Sequence, residues 1–379
     1  MIPSLLIECV RAHPDPDKLR RLARDCSDWN GFLWAAGFQK ADALAFWALN
    51  EACPDAVPPE ILTSLGMSFR QNMERNLLCA KELIRLLNLF RSAGLDAIPL
   101  KGPTLSWSLY ETPALRFLYD LDFLVEERDM PRFTDLLLSD GCRLDHSAPM
   151  RFFSRDGVLG FRTAGEKLSI EIHWLLSPSH FNPLDADEIR ARVVTADIAG
   201  SQIRVLCPED LAVYLCVHGA KHGWDGLARL CDLDRLIDRH KLDWDVILSR
   251  AEQLRISRIL AFGLRLTQDL LGSDLPPEVS RWIRADARAM ALAGSSRTQL
   301  VERDGISTLR DLMPLWFRLT EGVRRKSLLF WHFLQPSCDD WEFFRLPASM
   351  FAFYYIGKPV RLAWKYCVSP IFVRNAELS

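Results

Sequence analysis

The sequence is short of extremes. Nowhere does it hold the roughly 18 uncharged apolar residues in a row that a membrane-spanning helix needs. It lacks a charge bias: 47 Lys and Arg stand against 49 Asp and Glu, with an isoelectric point near 6.5. No global field therefore draws it to nucleic acid or lipid, and a polyanionic partner would need a local patch. Ten cysteines are spread from Cys9 to Cys367 without one CxxC pair. Several lie in apolar helical patterns where a thiol acts as a small hydrophobe, so they are expected to be reduced. The opening MIPSLLIECVRAH has no basic run before a long apolar core, so no secretion signal is expected and the expected compartment is the cytoplasm. Repeats and low-complexity tracts are absent. What is left is an ordinary globular composition, 49% apolar and 25% charged over 379 residues, enough for a large core and more than one folded unit.

Periodicity divides the chain into three, at 1–94, 95–207 and 208–379. The first region reads as helices, the last running from about Ser68 to Ala93, with Leu78, Leu83, Leu86, Leu87 and Phe90 at helical spacing and Gly94 as the stop. In the second the period shortens. LDAIPL, FLYDLDFLV and LSIEIHWLL read as strands, helices are expected at 103–110 and 127–139, and Asp156-Gly157 between two apolar runs reads as a hairpin turn. A hairpin among alternating strands and helices makes the sheet mixed, so the expected fold class is α+β: a small mixed-sheet core flanked by N- and C-terminal helical regions. From Pro208 onward nearly everything is helical, beginning with PEDLAVYLCVHGAKHG.

The chemistry starts at Asp120-Leu121-Asp122. A strand alternates its side chains, so both carboxylates leave one face while Leu121 and Phe123 leave the other. Two acids that close repel unless a divalent cation lies between them. In Ile170-Glu171-Ile172-His173 the same alternation puts Glu171 and His173 on one face. If the two strands pair, three carboxylates converge, and oxygen donors completed by phosphate and water suit Mg²⁺. Before them comes Lys101-Gly102-Pro103: a glycine that permits positive φ, a proline suited to a first helical position, and amides and a lysine charge that favour phosphate.

These motifs resemble a known family. LKGPTL, LYETPALRFLYDLDFLV, the Asp140-Gly141 turn, EIHW, PEDLAVYLCVHGAKHGW, LCDLDRLI and the tail LPASMFAFYYIGKPVRLAWKY are similar to the uncharacterised bacterial nucleotidyltransferase-like family of the polymerase-β nucleotidyltransferase superfamily. The resemblance implies a nucleotidyltransferase core with helical flanks, two Mg²⁺ (or Mn²⁺) ions, ATP or another nucleoside triphosphate as donor, and a link to peptide or polysaccharide biosynthesis. Residue by residue, the glycine of the phosphate turn falls on Gly102, the metal carboxylates on Asp120 and Asp122, and the third carboxylate on Glu171. Pro103 departs from the pattern by replacing a serine, a loss that Lys101 or Thr104 would make good, and eighteen positions separate Gly102 from Asp120.

The implied reaction moves a nucleoside monophosphate onto a hydroxyl-type acceptor and releases pyrophosphate. Asp120 and Asp122 would bridge two ions, and Glu171 would hold one and orient the attacking hydroxyl as a base. Arg116 is assigned to the triphosphate or to a neighbouring acid, and His173 to the support of Glu171 or to phosphate. His218 and His222, one helical turn apart, have the spacing of a zinc pair, but with Lys221 they are read as a wall of the nucleotide or acceptor pocket. Asp232 and Asp234 repeat the DxD spelling on a helix, where i and i+2 diverge, and are not read as a metal site. The stretch 343–376 has no acid and five basic residues, Arg345, Lys358, Arg361, Lys365 and Arg374, among many aromatics. It reads as an aromatic core helix pair with solvated basic tips, with a peripheral membrane or polyanion contact as the other reading. The alternative to an enzyme is a non-catalytic scaffold of the same fold in a biosynthetic assembly, which the altered Gly-Pro turn favours.

Overall fold

The structure is a computed structural model and describes residues 2–364 other than 119, 146, 147, 150, 151, 154, 155, 166, 167, 177–183 and 303–308. Four short helices, α1 (Ser4–Cys9), α2 (Pro16–Arg24), α3 (Trp29–Phe38) and α4 (Asp42–Ala52), lead into a 34-residue helix, α5 (Pro59–Ser92). That helix begins nine residues before the expected Ser68, with Pro59 in its first turn, and ends where Gly94 takes φ 65°. Its inner face carries Leu65, Cys79, Leu83, Leu86 and Phe90; Leu78, expected on that face, points to solvent.

The sheet is mixed, as expected, with strand order β1-β2-β5-β4-β3. Its strands are β1 (Ile98–Pro99), β2 (Asp120–Leu124), β3 (Arg143–Leu144), β4 (Val158–Arg162) and β5 (Ser169–His173). Only β2 and β5 run parallel; every other pairing is antiparallel. Helices α6 (Pro103–Leu109) and α7 (Met130–Ser139) fill the connections. β1 is two residues long because Pro99 has no N–H to extend the ladder. A helix, α8 (Ala186–Arg190), and a separate hairpin of β6 (Val194–Ile198) and β7 (Ser201–Val205) follow.

Asp156-Gly157 does not turn a hairpin. Phe152 and Phe153 lie in a helical turn, and the Asp156 and Gly157 amides both donate to the Phe153 carbonyl at 3.0 Å. Gly157 instead lengthens the β4–β5 ladder, its carbonyl accepting from Trp174 N at 2.9 Å, and a Cβ there would fall 2.4 Å from Leu175.

The C-terminal helices are α9 (Pro208–Lys221), α10 (Leu227–Arg239), α11 (Trp244–Gln253), α12 (Ser257–Leu271), α13 (Pro277–Ala285), α14 (Ala287–Glu302), α15 (Leu309–Leu319), α16 (Val323–Leu334), α17 (Cys338–Phe344) and α18 (Phe353–Ala363). One apolar core joins α1–α4 to α9–α14; a second lies between the sheet, α7 and the C-terminal half of α5. No helix among the described residues is long and apolar enough to cross a membrane.

The tail reverses its expected polarity. Lys358 and Arg361, assigned to solvated tips, are each 7% exposed, whereas Ile356 and Val360 are 70% and 59% exposed. The cause is Asp340, fully buried, which accepts from Arg361 Nε at 2.5 Å and lies 3.8 Å from Lys358 Nζ. A buried carboxylate needs its cations more than solvent does, so they turn inward and the apolar residues turn out. Lys365, Cys367 and Arg374 lie outside the described residues.

Candidate active site

Parallel pairing of β2 with β5 sets Asp122 opposite Glu171 and Asp120 opposite Ser169. On the inner face Leu121, Phe123, Ile170 and Ile172 are buried in the sheet core, which fixes which side the acids leave from. On the other face, ligand atoms of Asp122, Glu171 and His173 all lie within 4.8 Å of one another. His173 Nε2 is 3.1 Å from Asp122 Oδ1 and 3.2 Å from Glu171 Oε2. The three residues gathered this tightly include His173 in place of the expected Asp120. Asp120 faces Ser169 across the ladder, so no carboxylate or imidazole stands directly opposite it. Asp120 is joined through Lys101, whose Nζ stands 3.1 Å from both Asp120 Oδ2 and Asp122 Oδ2.

The charges tune one another. Burial opposes the Lys101 ammonium, but Asp122 and Asp120 hold its pKa above the ordinary value. Burial and the Asp122 charge push the Asp120 carboxyl up. Burial would also raise Glu171, yet hydrogen bonding and charge from His173 bring it down to about 2. His173 is itself held up by Asp122 and Glu171 against its burial. As a cation site the cluster fits: carboxylate oxygens dominate the donors, as Mg²⁺ or Mn²⁺ prefers, and the buried Asp122 Oδ2 has the Lys101 ammonium, 3.1 Å away, as its neighbouring cation.

Lys101 and Gly102 are held on β2 directly. Gly102 has φ 77°, and a Cβ on it would lie 3.1 Å from the Asp120 carbonyl, so the turn needs glycine. Leu100 N donates to Asp122 O at 3.0 Å. Thr104 does not offer its hydroxyl to a phosphate: Oγ1 donates to the Lys101 carbonyl at 3.2 Å and the residue is buried. Arg116 is likewise committed. Its Nε and Nη2 reach the Asp232 carboxylate at 2.8 and 2.9 Å, Nη1 donates to the Gly102 carbonyl at 3.3 Å, and Tyr110 Oη donates to the same acid at 2.7 Å. Of its two assigned partners, Arg116 has the acid. Asp234, pointing away from Asp232, accepts from Ala12 N at 2.9 Å and from Ser273 Oγ at 2.5 Å.

Helix α9 lies close enough to the cluster for its charges to act on Tyr214 and Lys221. Tyr214, His218 and His222 follow one another at intervals of four residues, with ring centroids 5.7 and 4.7 Å apart. The charges of Lys101, Asp122, Asp120 and Glu171 all act on Tyr214, whose phenol burial holds protonated. Burial lowers the Lys221 pKa while Glu171 and Asp156 work against it. Burial and neighbouring cations keep both imidazoles neutral, His222 pushed down to about 2. No third zinc ligand joins them among the described residues, since Asp225 is held by Arg229 and Asp232 by Arg116. The glycines of HGAKHGW serve packing: Trp224 N donates to Gly219 O at 2.8 Å, and a Cβ on Gly219 would fall 2.5 Å from the Trp224 ring.

Sequence reasoning missed Tyr214, one turn before His218 on the same helical face, and the asparagine pair on α5. Asn72 Nδ2 donates to Ala114 O at 2.7 Å and Asn76 Nδ2 to Arg116 O at 3.0 Å, fixing the connection that delivers Asp120. Two buried amides four residues apart on an apolar face were the available signal.

No curated protein matches the chain. The family model described as an uncharacterised nucleotidyltransferase matches residues 25–272, a segment that holds the whole sheet, the carboxylate cluster and helix α9, and the chain belongs to that family of nucleotidyltransferases.

Proposed function

We propose that the chain is a Mg²⁺-dependent enzyme that transfers a nucleoside monophosphate from a nucleoside triphosphate to a hydroxyl-type acceptor on a small molecule, glycan or peptide, releasing pyrophosphate. The observation that carries this reading is the convergence of Asp122, Glu171 and His173 within 4.8 Å, with Asp120 on the same face. Residues 95–207 then form the catalytic core, with 1–94 and 208–379 as helical flanks.

Asp120, Asp122 and Glu171 would hold the divalent ions, with His173 as a fourth donor. When bound, such ions neutralise the departing pyrophosphate and acidify the acceptor hydroxyl. The residues divide the remaining work. Glu171 would orient the acceptor hydroxyl, its carboxylate set in place by His173 Nε2, 3.2 Å away. Lys101 neutralises the cluster, and its ammonium would be available to the phosphates where a cation took its place at Asp122. Tyr214, His218, Lys221 and His222 line the side of the pocket that receives nucleotide or acceptor.

One observation favours a second reading, a non-catalytic scaffold: Lys101 already spans both aspartates at 3.1 Å, where an ion would stand. Calorimetry separates the two. A non-hydrolysable triphosphate is expected to bind only with Mg²⁺ or Mn²⁺ present, and Asp120→Ala with Asp122→Ala to abolish binding. Equal affinity with and without metal, unchanged in the double variant, rules out the catalytic reading.

A further inference from the structure

Beyond the matched segment, α16 and α18 present an exposed apolar face. Phe330, Trp331, Phe353, Ile356, Val360 and Trp364 are all exposed. Those of α18 follow helical spacing, and the rings of Trp331 on α16 and Tyr355 on α18 stack at 6.0 Å, so the two helices adjoin. The opposite sides are tied down. Arg325 on α16 donates to the carbonyls of Leu254, at 2.6 Å, and Arg255. On α18 Tyr354 packs its ring 5.0 Å from Phe152, Arg361 binds Asp340, and Gly357 admits Phe344, which a Cβ would meet at 2.8 Å. Each helix is thus docked by one side, through aromatic packing and ion pairs together, and turns a further apolar side outward.

We infer that this face seats the protein on an anionic phospholipid surface, with α16 and α18 lying in the interfacial plane. Three observations choose that occupant. Aromatic and branched side chains on amphipathic helices of 12 and 11 residues suit the headgroup boundary and are too short to span a bilayer. Residues 343–364 contain no acid; Arg324, seven residues before Trp331 and so on the same face of α16, is exposed, as is Arg345 in the segment between α17 and α18. The acids nearest in sequence lie on α17, where Asp339 and Asp340 are engaged by Arg361 and Glu342 is exposed. A two-fold contact with a second copy would set this basic rim against itself, whereas anionic headgroups complement it.

Co-sedimentation of the full chain with phosphatidylcholine vesicles, with and without phosphatidylglycerol, tests the inference. We expect partition onto the anionic vesicles at least about tenfold stronger than onto neutral ones and weakened by salt. The Ile356→Ser/Val360→Ser/Trp364→Ser variant should lose about tenfold or more. An Arg324→Glu/Arg345→Glu variant, altered only at exposed side chains, should lose the preference for anionic vesicles and decides the matter if the triple variant fails to fold. Absence of vesicle binding by the wild-type chain, equal binding by the charge variant, or a concentration-dependent dimer that the same substitutions dissolve would overturn it.

Discussion

At the scale of single residues the site is a balance between like charges and two buried cations. His173 is the point where that balance meets pH. Its folded pKa lies above the ordinary 6.5, so its contribution to stability is complete below 6.5 and fades as pH rises through the folded value. Glu171, lowered from 4.5 to about 2, contributes above 4.5 and loses its contribution as pH falls toward 2. The two windows overlap between 4.5 and 6.5. In chelator-treated protein, His173→Gln is expected to cost about 1–2 kcal/mol at pH 5.5 and clearly less at pH 8.5, read from urea melts; a penalty that grows with pH contradicts the assigned charge. Much of this was legible in the sequence. Alternation along Asp120-Leu121-Asp122 and Ile170-Glu171-Ile172-His173 gave the faces, because period two is a local property. The Arg116–Asp232 pair was not, since its partners are 116 residues apart and nothing local marks them as neighbours. Nor was the inward turn of Lys358 and Arg361, which depends on a buried Asp340 that sequence alone does not reveal as buried.

At the scale of elements, α9 and α5 position what β2 and β5 carry. Trp224 folds back against Gly219 and also meets Gly263 of α12, where a Cβ would lie 2.7 Å from its ring. Gly219→Ala therefore sets helix propensity against packing. Alanine gains up to about 1 kcal/mol as a helix former, while displacing a fully buried indole costs about 1–3 kcal/mol. The variant is expected to melt lower than wild type and to weaken metal-dependent nucleotide binding through the shifted Tyr214–His222 face; a higher melting temperature would show that the indole moves freely. Strand existence was readable here and strand partnership was not. The parallel register of β2 on β5 joins segments separated by α7, β3 and β4, and only that register decides that Asp122 meets Glu171. Likewise the glycine of Asp156-Gly157 carries a turn signal, but its local chemistry does not say whether it closes a hairpin or extends a ladder, as it does here.

At the scale of the whole molecule, the two helical regions close over the sheet from both ends of the chain. Arg235 Nη1 donates to Val10 O at 3.0 Å, and the Arg116–Asp232 pair ties the Gly102 turn to α10. Asp232→Ala strands a buried guanidinium and is expected to cost about 3–5 kcal/mol, whereas Arg116→Met with Asp232→Leu removes both charges and should recover most of that loss in denaturant melts. Failure of the double replacement to recover stability would mean that the pair's geometry at Gly102, rather than its charge, is what the fold requires. All of this serves one claim, that carboxylates from β2 and β5 bind divalent ions together. Mn²⁺ titration followed by electron paramagnetic resonance measures it directly. The account predicts that wild-type protein binds Mn²⁺, that triphosphate brings the total to two ions per chain, and that Asp120→Ala with Asp122→Ala, shown to be folded by circular dichroism at the temperature of the titration, loses both. Mn²⁺ binding of equal strength in that variant would contradict it.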